Sequence, residues 1–370
     1  MTSSALISRM NWAAIWADTL PGRQDRTYKP AMTPSSLRLI PDFDLSARNT
    51  LALKARSRWG AVLEAADQVP ALFVLAQERG LPLRILGGGS NVVLSSDFEG
   101  ITAMVATRGR SVIAQTGEHV LVEAAAGETW HDFVVWTVEQ GFGGIENLAG
   151  IPGTVGAAPV QNIGAYGAEV ADVFDSLVAF DTLDKVFKTF SSADCAFAYR
   201  DSVFKRQAGR YVVLSLRLRL PRPWKPNLLF AGLAELADYP GLDPRAVMDR
   251  VLTLRGSKLP DWRVTPNAGS FFQNPIVTPE EAVSIVAAVP TAPNFPQADG
   301  RTKLSAGWLI EQSGLKGFRM GHAGISERHA LVVVNLGGAD ASDIAALAGH
   351  VKATVQARFG IALHEEPVFL

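Results

Sequence analysis

The sequence has almost no cysteine. Cys195 is the single one among 370 residues, which excludes an intramolecular disulfide and a zinc site built on cysteine ligands. A chain with so little cysteine fits a reducing compartment, and we expect a cytoplasmic protein.

An excess of positive charge is also missing. Lysine and arginine number 35 against 36 aspartates and glutamates, for a net charge of −1, so general binding to nucleic acid or to an acidic membrane surface is not expected.

No apolar run approaches the roughly 18 residues of a membrane helix, which argues against membrane insertion. The N-terminus lacks the basic start and apolar core of a signal peptide. We expect residues 1–35 to be a disordered extension or a segment upstream of the true start, with Met32 as an alternative initiator.

Several common catalytic motifs are absent. The six histidines form neither H-x-x-x-H nor H-E-x-x-H, so no metal site is expected. No G-x-S-x-G elbow is present, which weakens a hydrolase interpretation. The glycines of LGGGSNVVL are followed by neither a helix pattern nor Gly-Lys-Ser/Thr, so a Rossmann dinucleotide site and a Walker A loop are both rejected.

The most unusual stretch that is present runs from residue 141 to residue 170, GFGGIENLAGIPGTVGAAPVQNIGAYGAEV. It contains eight glycines and neither lysine nor arginine. Glycine costs backbone entropy on folding and is expected where the chain bends sharply or approaches another group closely. The stretch offers backbone N–H groups and the amides of Gln161 and Asn162, which suits a wall against a flat, phosphate-bearing cofactor. A flexible linker is the alternative, although apolar residues such as Ile151 and Val155 recur throughout.

Short apolar runs typical of strands dominate residues 83–220. Leu83–Leu86 and Val92–Leu94 flank the turn Gly87–Asn91 as a strand–turn–strand unit, for which a tight hairpin is the ordinary interpretation. Residues 211–220 (YVVLSLRLRL) alternate strictly from Leu214 onward, as in a half-buried strand. Farther on, helical patterns alternate with strands. The pattern predicts an α+β fold with a small α/β domain in its last third.

Three residue groups could carry chemistry. Arg200, in FAYRDSVFK, could bind a carboxylate in the bidentate manner that lysine cannot, and a salt bridge to Asp201 or another local carboxylate is the structural alternative. Ser270, in NAGSFF, follows a glycine that leaves its hydroxyl accessible, although most such serines are turn residues. Glu365 and Glu366 lie near the end of the chain, where a solvated charged tail is the default interpretation. Spacing alone does not join these groups.

Taken together and in order, the segments of residues 45–370 resemble the UDP-N-acetylenolpyruvoylglucosamine reductase (UDP-N-acetylmuramate dehydrogenase) family, in its longer subtype. The matching blocks are LGGGSNVVL, ENLAGIPGTVGAAPVQNIGAYG, FAYRDSVFK, KLPD, NAGSFFQNP, PTAPNFPQADG, KLSAGWLIEQSGLKG and the closing glutamates. The resemblance implies a split FAD-binding domain of the vanillyl-alcohol-oxidase (PCMH) type plus a small α/β substrate-binding domain. It implies four segments: an extension, 1–35; FAD-binding subdomain 1, 36–108 with 361–370; FAD-binding subdomain 2, 109–258; and a substrate-binding domain, 259–360.

The resemblance also implies an activity. NADPH would reduce a bound FAD, hydride from flavin N5 would reach C3 of UDP-N-acetylglucosamine enolpyruvate, and a proton would reach C2, giving UDP-N-acetylmuramate for peptidoglycan synthesis. Arg200 and Glu366 would act at the developing enolate, and Ser270 would donate the proton. Glu365 is the alternative to Glu366, which the resemblance favours. Since no histidine lies in the turn Gly87–Asn91, where related oxidases attach flavin covalently, the FAD would be non-covalent.

The resemblance assigns binding residues as well. The residues expected around FAD are Gly87, Gly88, Gly89, Ser90, Asn91, Pro152, Gly153, Gly156, Gln161, Asn162, Gly164 and Ala165. Those expected to hold the UDP-sugar are Lys258, Asn274, Gln312 and Phe230. Phe230 stands where this subtype carries a tyrosine over the substrate diphosphate, so a hydroxyl contact is lost and weaker substrate affinity is expected.

Two rival functions are weighed against this one. Another FAD oxidoreductase of the same fold, acting on a sugar or an alcohol, would need a base rather than a bound carboxylate and a proton donor. A non-catalytic flavin or UDP-sugar binding protein would be expected to have lost Arg200 or Ser270, and both are present.

Overall fold

The computed structural model describes residues 36–289 and 291–370, so the predicted extension, residues 1–35, lies outside the described residues. The α-helices of the described part are α1 Gln68–Glu78, α2 Trp130–Glu139, α3 Ser192–Cys195, α4 Val203–Arg206, α5 Pro244–Lys258, α6 Pro279–Ala288, α7 Ala306–Gln312 and α8 Ala341–Phe359. The strands are β1 Ile40–Asp44, β2 Arg56–Leu63, β3 Leu83–Leu86, β4 Val92–Val93, β5 Phe98–Val105, β6 Arg110–Gln115, β7 His119–Ala125, β8 Gly164–Ala165, β9 Ala168–Glu169, β10 Phe174–Asp181, β11 Val186–Ser191, β12 Tyr211–Pro221, β13 Asn267–Ser270, β14 Ile276–Val277, β15 Asn294–Pro296, β16 Thr302–Leu304, β17 Arg319–Met320, β18 Ala323–Ile325, β19 Val332–Asn335 and β20 Val368–Phe369. Short 3-10 helices occur at Ser46–Arg48, Glu146–Leu148, Val155–Ala157, Val170–Asp172 and Ala231–Asp238.

The first sheet has four strands in the order β1–β2–β5–β3. β2, β5 and β3 run parallel, and β1 lies antiparallel to β2 at one edge. Parallel strands need a crossover connection, and α1 provides it between β2 and β3. The helix packs Val69 and Leu72 into the same core as Ile101 of β5. This packing holds the helix against the sheet, and the turn Gly87–Asn91 begins where β3 ends.

A five-stranded antiparallel sheet follows, in the order β11–β10–β12–β7–β6. The predicted alternation appears in the second half of β12, where Leu216, Leu218 and Leu220 are buried and Arg219 is exposed. In the first half, every residue from Val212 to Leu216 is buried. The sheet is covered on both faces. Val212 and Leu214 join the core of the first sheet, whereas Val213 and Leu216 join a second core that includes α2.

The C-terminal part combines helices with two small antiparallel sheets, ordered β13–β19–β18–β17 and β14–β16–β15. Leu309 of α7, Leu347 of α8 and Val333 of β19 belong to one core. Leu51 and Leu53 enter the same core from the N-terminal part, so the two ends of the described chain pack against each other.

The turn Gly87–Asn91 does not form the tight hairpin that is its ordinary interpretation. β3, before the turn, belongs to the first sheet, whereas β4, after it, pairs in parallel with β20. The Val368 N–H donates to the Asn91 carbonyl at 3.1 Å. Because the partner strand comes from the far end of the chain, no local pattern could reveal it. The pairing carries Glu365 and Glu366 to the turn.

No helix in the described part of the chain combines the length and apolar character needed to cross a membrane. The division into four segments stays a prediction.

Candidate active site

The turn Gly87–Asn91 presents a row of backbone N–H groups without protein acceptors. Within residues 36–289 and 291–370, none of these N–H groups donates a hydrogen bond. Gly89 has φ 62°, and a Cβ there would lie 2.0 Å from the Arg48 carbonyl oxygen, so only glycine fits. Successive unpartnered N–H groups in such a turn form an anion-binding concavity.

Residues 152–156 of the glycine-rich stretch face this turn. A Cβ on Gly88 would lie 3.0 Å from the Gly153 Cα, and the Ser90 hydroxyl donates to the Pro152 carbonyl at 3.0 Å. Gly153 has φ 124°, and its N–H likewise lacks an acceptor among the described residues. The two glycine segments, 87–91 and 152–156, are called the glycine cradle below. Its close backbone approach and unpartnered N–H groups suit the pyrophosphate of a dinucleotide cofactor.

Asn91 and Gln161 connect the glycine cradle to Glu366. Asn91 Nδ2 donates to Gln161 Oε1 at 2.7 Å and to the Glu366 carbonyl at 3.2 Å. Gln161 Nε2 donates to the Glu366 carboxylate at 3.0 Å. Three remote parts of the chain thus form one series of hydrogen bonds, which holds the Glu366 carboxylate beside the cradle.

Arg200 approaches the same carboxylate. Its Nε lies 3.4 Å from Glu366 Oε1, and its Nη2 donates to the Gly164 carbonyl at 2.6 Å. The local alternative, a salt bridge to Asp201, does not form, because Asp201 pairs with Arg206. Arg200 has φ 54°, a conformation that costs a residue other than glycine about 1–3 kcal/mol and that clusters at functional positions.

The Glu366 carboxyl is desolvated and lies among cations. Its side chain is 13% exposed, and burial raises the pKa of this carboxyl, while Arg200 and then Lys205 act in the opposite direction. Lys205 Nζ donates to the Arg200 carbonyl at 2.9 Å, which keeps the second cation close. A carboxyl that is both buried and paired with a specific cation is a common feature of active sites.

Ser270 ends β13 close to Glu366 in space. The Glu366 N–H donates to the carbonyl of the adjacent Phe271 at 2.8 Å. Ser270 is exposed, and no described residue hydrogen-bonds its hydroxyl. Glu365 instead pairs with Lys352 at 2.6 Å. Of the two glutamates, Glu366 is therefore the one that reaches the arginine described above.

Comparisons with known proteins give this arrangement a family. A model described as FAD binding domain matches residues 61–186, and one described as UDP-N-acetylenolpyruvoylglucosamine reductase, C-terminal domain, matches residues 260–370. The UDP-N-acetylenolpyruvoylglucosamine reductase of Burkholderia cenocepacia is 46% identical over 342 residues, which is 91% of this chain and 98% of that protein. This chain belongs to the UDP-N-acetylenolpyruvoylglucosamine reductase family. The reductase of Azoarcus sp. is 49% identical over 341 residues, 90% of this chain and 98% of that protein.

A solved structure of the reductase family has the same fold. The crystal structure of UDP-N-acetylenolpyruvylglucosamine reductase from Thermus caldophilus matches with a TM-score of 0.62 at 25% sequence identity, covering 90% of this chain and 99% of that chain. With the FAD-binding model, this match confirms the predicted α+β fold class, a split FAD-binding domain with a substrate-binding domain. FAD is the cofactor of the chain, and the unpartnered N–H groups of the glycine cradle fit its pyrophosphate.

Two of the side chains expected to hold the UDP-sugar lie together. Lys258 Nζ lies 5.3 Å from the centroid of the Phe230 ring, within the range of a cation–π interaction. The Phe230 ring meets the Tyr166 ring edge-on, with 4.8 Å between centroids. Tyr166 therefore brings a phenol next to Phe230, which itself has no hydroxyl.

The other two expected substrate residues differ in their surroundings. Asn274 Oδ1 accepts the first N–H of α7 at 2.9 Å, which leaves its amide NH2 for a ligand. The Tyr199 ring centroid lies 5.2 Å from the Arg200 guanidinium carbon, and burial raises the pKa of this phenol. Gln312 ends α7, and its carbonyl accepts a hydrogen bond from Arg358. No contact within the described residues links the Gln312 side chain to Arg200, so its role stays a prediction.

Glu169 is a site residue that the sequence patterns do not reveal. It lies 3.9 Å from Arg200 Nη1, and burial raises the pKa of its carboxyl. Asn162 Nδ2 donates to this carboxylate at 2.7 Å, and Asn162 Oδ1 accepts the Ala171 N–H at 2.9 Å. The buried Asn162 side chain is thus engaged within the protein and supports the loop. The sequence does offer one clue. Glu169 lies near the end of the glycine-rich stretch, which contains no lysine or arginine to pair with its carboxylate.

Proposed function

We propose that the protein is an NADPH-dependent, FAD-containing reductase that converts UDP-N-acetylglucosamine enolpyruvate into UDP-N-acetylmuramate, a precursor in peptidoglycan synthesis. The observation that carries this proposal is the contact between Arg200 and Glu366, 3.4 Å apart, beside the glycine cradle. Family membership supplies the substrate class. The lone, buried Cys195 fits the cytoplasm as the compartment of action.

The glycine cradle would bind FAD non-covalently through backbone N–H groups. Because these groups are uncharged, binding would not require water to be removed from a charged side chain. FAD reduced by NADPH supplies the hydride for the enolpyruvyl double bond. Asn91 and Gln161 would fix Glu366 beside the bound cofactor, since both amides already point at this residue.

Arg200 would stabilise the negative charge that develops towards the substrate carboxylate as the double bond is reduced. The Asn162 and Gly164 carbonyls hold its two Nη atoms, so the guanidinium is in place before the charge appears. Glu366 would orient Arg200 and lie near C2 of the substrate. Ser270 would donate the proton to C2, because its exposed hydroxyl has no competing partner among the described residues. Positioned proton donors contribute typically about 10²–10⁴-fold to a rate.

Lys258, Phe230, Asn274 and Gln312 would hold the UDP-sugar, with Lys258 as a point charge for the diphosphate. The position of Lys258 over the Phe230 ring supports a joint role for these two residues. We also propose the division into residues 36–108 with 361–370, 109–258 and 259–360, which the separate sheets of the first, middle and last parts support.

Purified protein tests the proposal by an absorbance scan and by NADPH oxidation with and without the enolpyruvyl substrate. We expect a flavin spectrum and NADPH oxidation that depends on the substrate and yields UDP-N-acetylmuramate. A colourless protein that FAD does not reconstitute would contradict the proposal, as would NADPH consumption without that product. Reduction of the flavin by a sugar or alcohol alone would indicate an oxidase of the same fold.

Glu366→Gln and Glu365→Gln form a matched pair on adjacent residues. We expect Glu366→Gln to lower turnover by about 10²-fold or more, because it removes the charge that pairs with Arg200. Glu365→Gln breaks only the partly exposed ion pair with Lys352, so stability should change by about 1 kcal/mol or less and turnover little. Steady-state kinetics and thermal melts of both variants check this. A larger loss of turnover in Glu365→Gln would exchange the roles of the two residues.

A further inference from the structure

The chain segment that carries Phe230 makes few backbone hydrogen bonds. Residues 222–230, called the Phe230 segment below, follow β12 and precede the 3-10 helix Ala231–Asp238, and they form neither helix nor strand. From Trp224 to Phe230, no backbone N–H donates to another backbone group within residues 36–289 and 291–370. Side chains must therefore supply the contacts that keep this segment in one place.

Asn147, in the 3-10 helix Glu146–Leu148, supplies two of these contacts. The residue is buried, with 2% of its surface exposed. Its Nδ2 donates to the Asn227 carbonyl at 2.9 Å and to the Tyr166 carbonyl at 2.8 Å. An amide NH2 has two hydrogens, so both are used. One buried side chain thus joins the Phe230 segment to the loop that carries Tyr166.

Two further hydrogen bonds hold the Phe230 segment against the glycine-rich stretch. Asn227 Nδ2 donates to the Gly167 carbonyl at 2.8 Å, so the two segments are joined in both directions. Trp224 Nε1 donates to Oε1 of the buried Glu146 at 2.8 Å. A Cβ on Gly143 would lie 2.2 Å from Trp224 Cδ1, so glycine leaves the room that this indole needs. The adjacent residues Glu146 and Asn147 are therefore two anchors of one segment.

The anchored segment ends at the ring of Phe230. The Asn227 carbonyl that accepts from Asn147 lies three residues before this ring. The ring meets the Tyr166 ring edge-on, with 4.8 Å between centroids, and Lys258 Nζ lies 5.3 Å from its centroid. Asn147 binds the backbone on both sides of this aromatic pair, because its second acceptor is the Tyr166 carbonyl.

A binding group that is already in place loses less conformational freedom when its ligand arrives. A buried amide between two loops can provide this without reaching the ligand itself. We propose that Asn147 is a positioning residue for the UDP-sugar: it holds the Phe230 segment so that the ring lies beside Lys258 before the ligand binds. The inference rests on the proposed function, which assigns Phe230 and Lys258 to the UDP-sugar.

Three variants of the FAD-loaded protein test the inference. Asn147→Ala removes the amide, and Trp224→Phe removes the indole N–H of the other anchor. Asn335→Ala is the matched control, since Asn335 is also buried and its Nδ2 donates to the Leu51 carbonyl at 2.9 Å. Isothermal titration calorimetry measures the affinity for UDP-N-acetylglucosamine, steady-state kinetics separates KM from kcat, and thermal melts report stability.

We expect Asn147→Ala to weaken the binding of UDP-N-acetylglucosamine about tenfold, the loss that results when the binding arrangement is populated about one tenth of the time. KM for the enolpyruvyl substrate should rise by a similar factor, whereas kcat should change by about threefold or less. Trp224→Phe should change the affinity in the same direction. Asn335→Ala should lower the melting temperature and leave the affinity unchanged.

A double-mutant cycle with Phe230→Ala shows whether Asn147 acts through the ring. We expect Phe230→Ala to weaken binding less in the Asn147→Ala background than in the wild type, since a ring that is no longer held in place contributes less to binding.

Unchanged affinity in Asn147→Ala, or strictly additive effects in the cycle, would overturn the inference. An equal loss of affinity in Asn335→Ala would overturn it as well, because the effect would then follow from stability alone. If Asn147→Ala does not fold, unchanged affinity in Trp224→Phe overturns the inference in its place. A wild type that binds the nucleotide sugar without turnover would remove the proposed reaction but leave this test decisive.

Discussion

Ser270→Ala should leave the reduction of the flavin by NADPH intact and slow the oxidative half-reaction with the enolpyruvyl substrate by about 10²–10⁴-fold. The first half-reaction needs no proton on the substrate, whereas the second requires one at C2. A serine is an intrinsically weak acid, so its contribution depends on position rather than on pKa. Stopped-flow absorbance of the flavin, monitored separately in the two half-reactions, measures the effect.

The same substitution should leave the fold unchanged. Ser270 is exposed and makes no side-chain hydrogen bond within the described residues, and surface changes of this kind usually alter stability by about 0.5 kcal/mol or less. Ser111→Ala is a matched control, since Ser111 is also exposed and lies on the edge strand β6. An equal loss in both half-reactions would show that Ser270 is structural and would remove it from the chemistry.

Local patterns predict the elements of this fold better than their partners. The strands on both sides of Gly87–Asn91 follow from short apolar runs, and the rejection of a Rossmann site follows from the missing helix. The hairpin does not form because β4 pairs with β20 instead. These two strands lie far apart in the sequence, so the local pattern of neither strand indicates their pairing. The same limit explains the complete burial of Val212–Leu216 in β12, which depends on a second core supplied by residues far from it in sequence.

At the candidate site, too, the sequence predicts the types of the residues but not the residues that they contact. The type of residue at position 200 indicates carboxylate binding, but the local alternative, Asp201, pairs with Arg206. The carboxylates beside Arg200 are those of Glu366 and Glu169, at 3.4 and 3.9 Å. Properties that consist of three-dimensional contacts, or of their absence, cannot be derived from one sequence.

Three of the seven described residues other than glycine that have a positive φ lie at the site. Asn162, Tyr166 and Arg200 have φ between 45° and 54°, in the left-handed region that residues other than glycine seldom adopt. They lie in two separate segments that meet at the site: the Asn162 carbonyl accepts from Arg200, and the Tyr166 ring packs on Phe230. The fold thus accepts a local cost of about 1–3 kcal/mol per residue in order to fix these groups, as expected where a cation must be in place before charge develops.

Arg200→Lys should lower kcat by about 10²–10³-fold, the effect of removing one preorganised donor to a developing oxyanion. Lysine keeps the positive charge and adopts the same backbone conformation at a similar cost, so the substitution isolates the geometry of the charged group. In the wild type, Nε faces Glu366 while Nη1 and Nη2 donate to the Asn162 and Gly164 carbonyls at 3.4 and 2.6 Å. A single ammonium group on a flexible stem cannot satisfy these three directions and still present a planar face to the substrate carboxylate.

Arg206→Lys is the matched control for Arg200→Lys, because Arg206 lies six residues later, is more exposed and pairs with Asp201 at the surface. It should keep normal turnover. Flavin reduction by NADPH should be normal in both variants, and the loss in Arg200→Lys should appear in the oxidative half-reaction. Near-normal turnover of Arg200→Lys would mean that charge alone suffices at this position. The strained backbone and the carbonyl contacts of Arg200 would then serve the fold, and the contact with Glu366 would no longer support the proposed reaction.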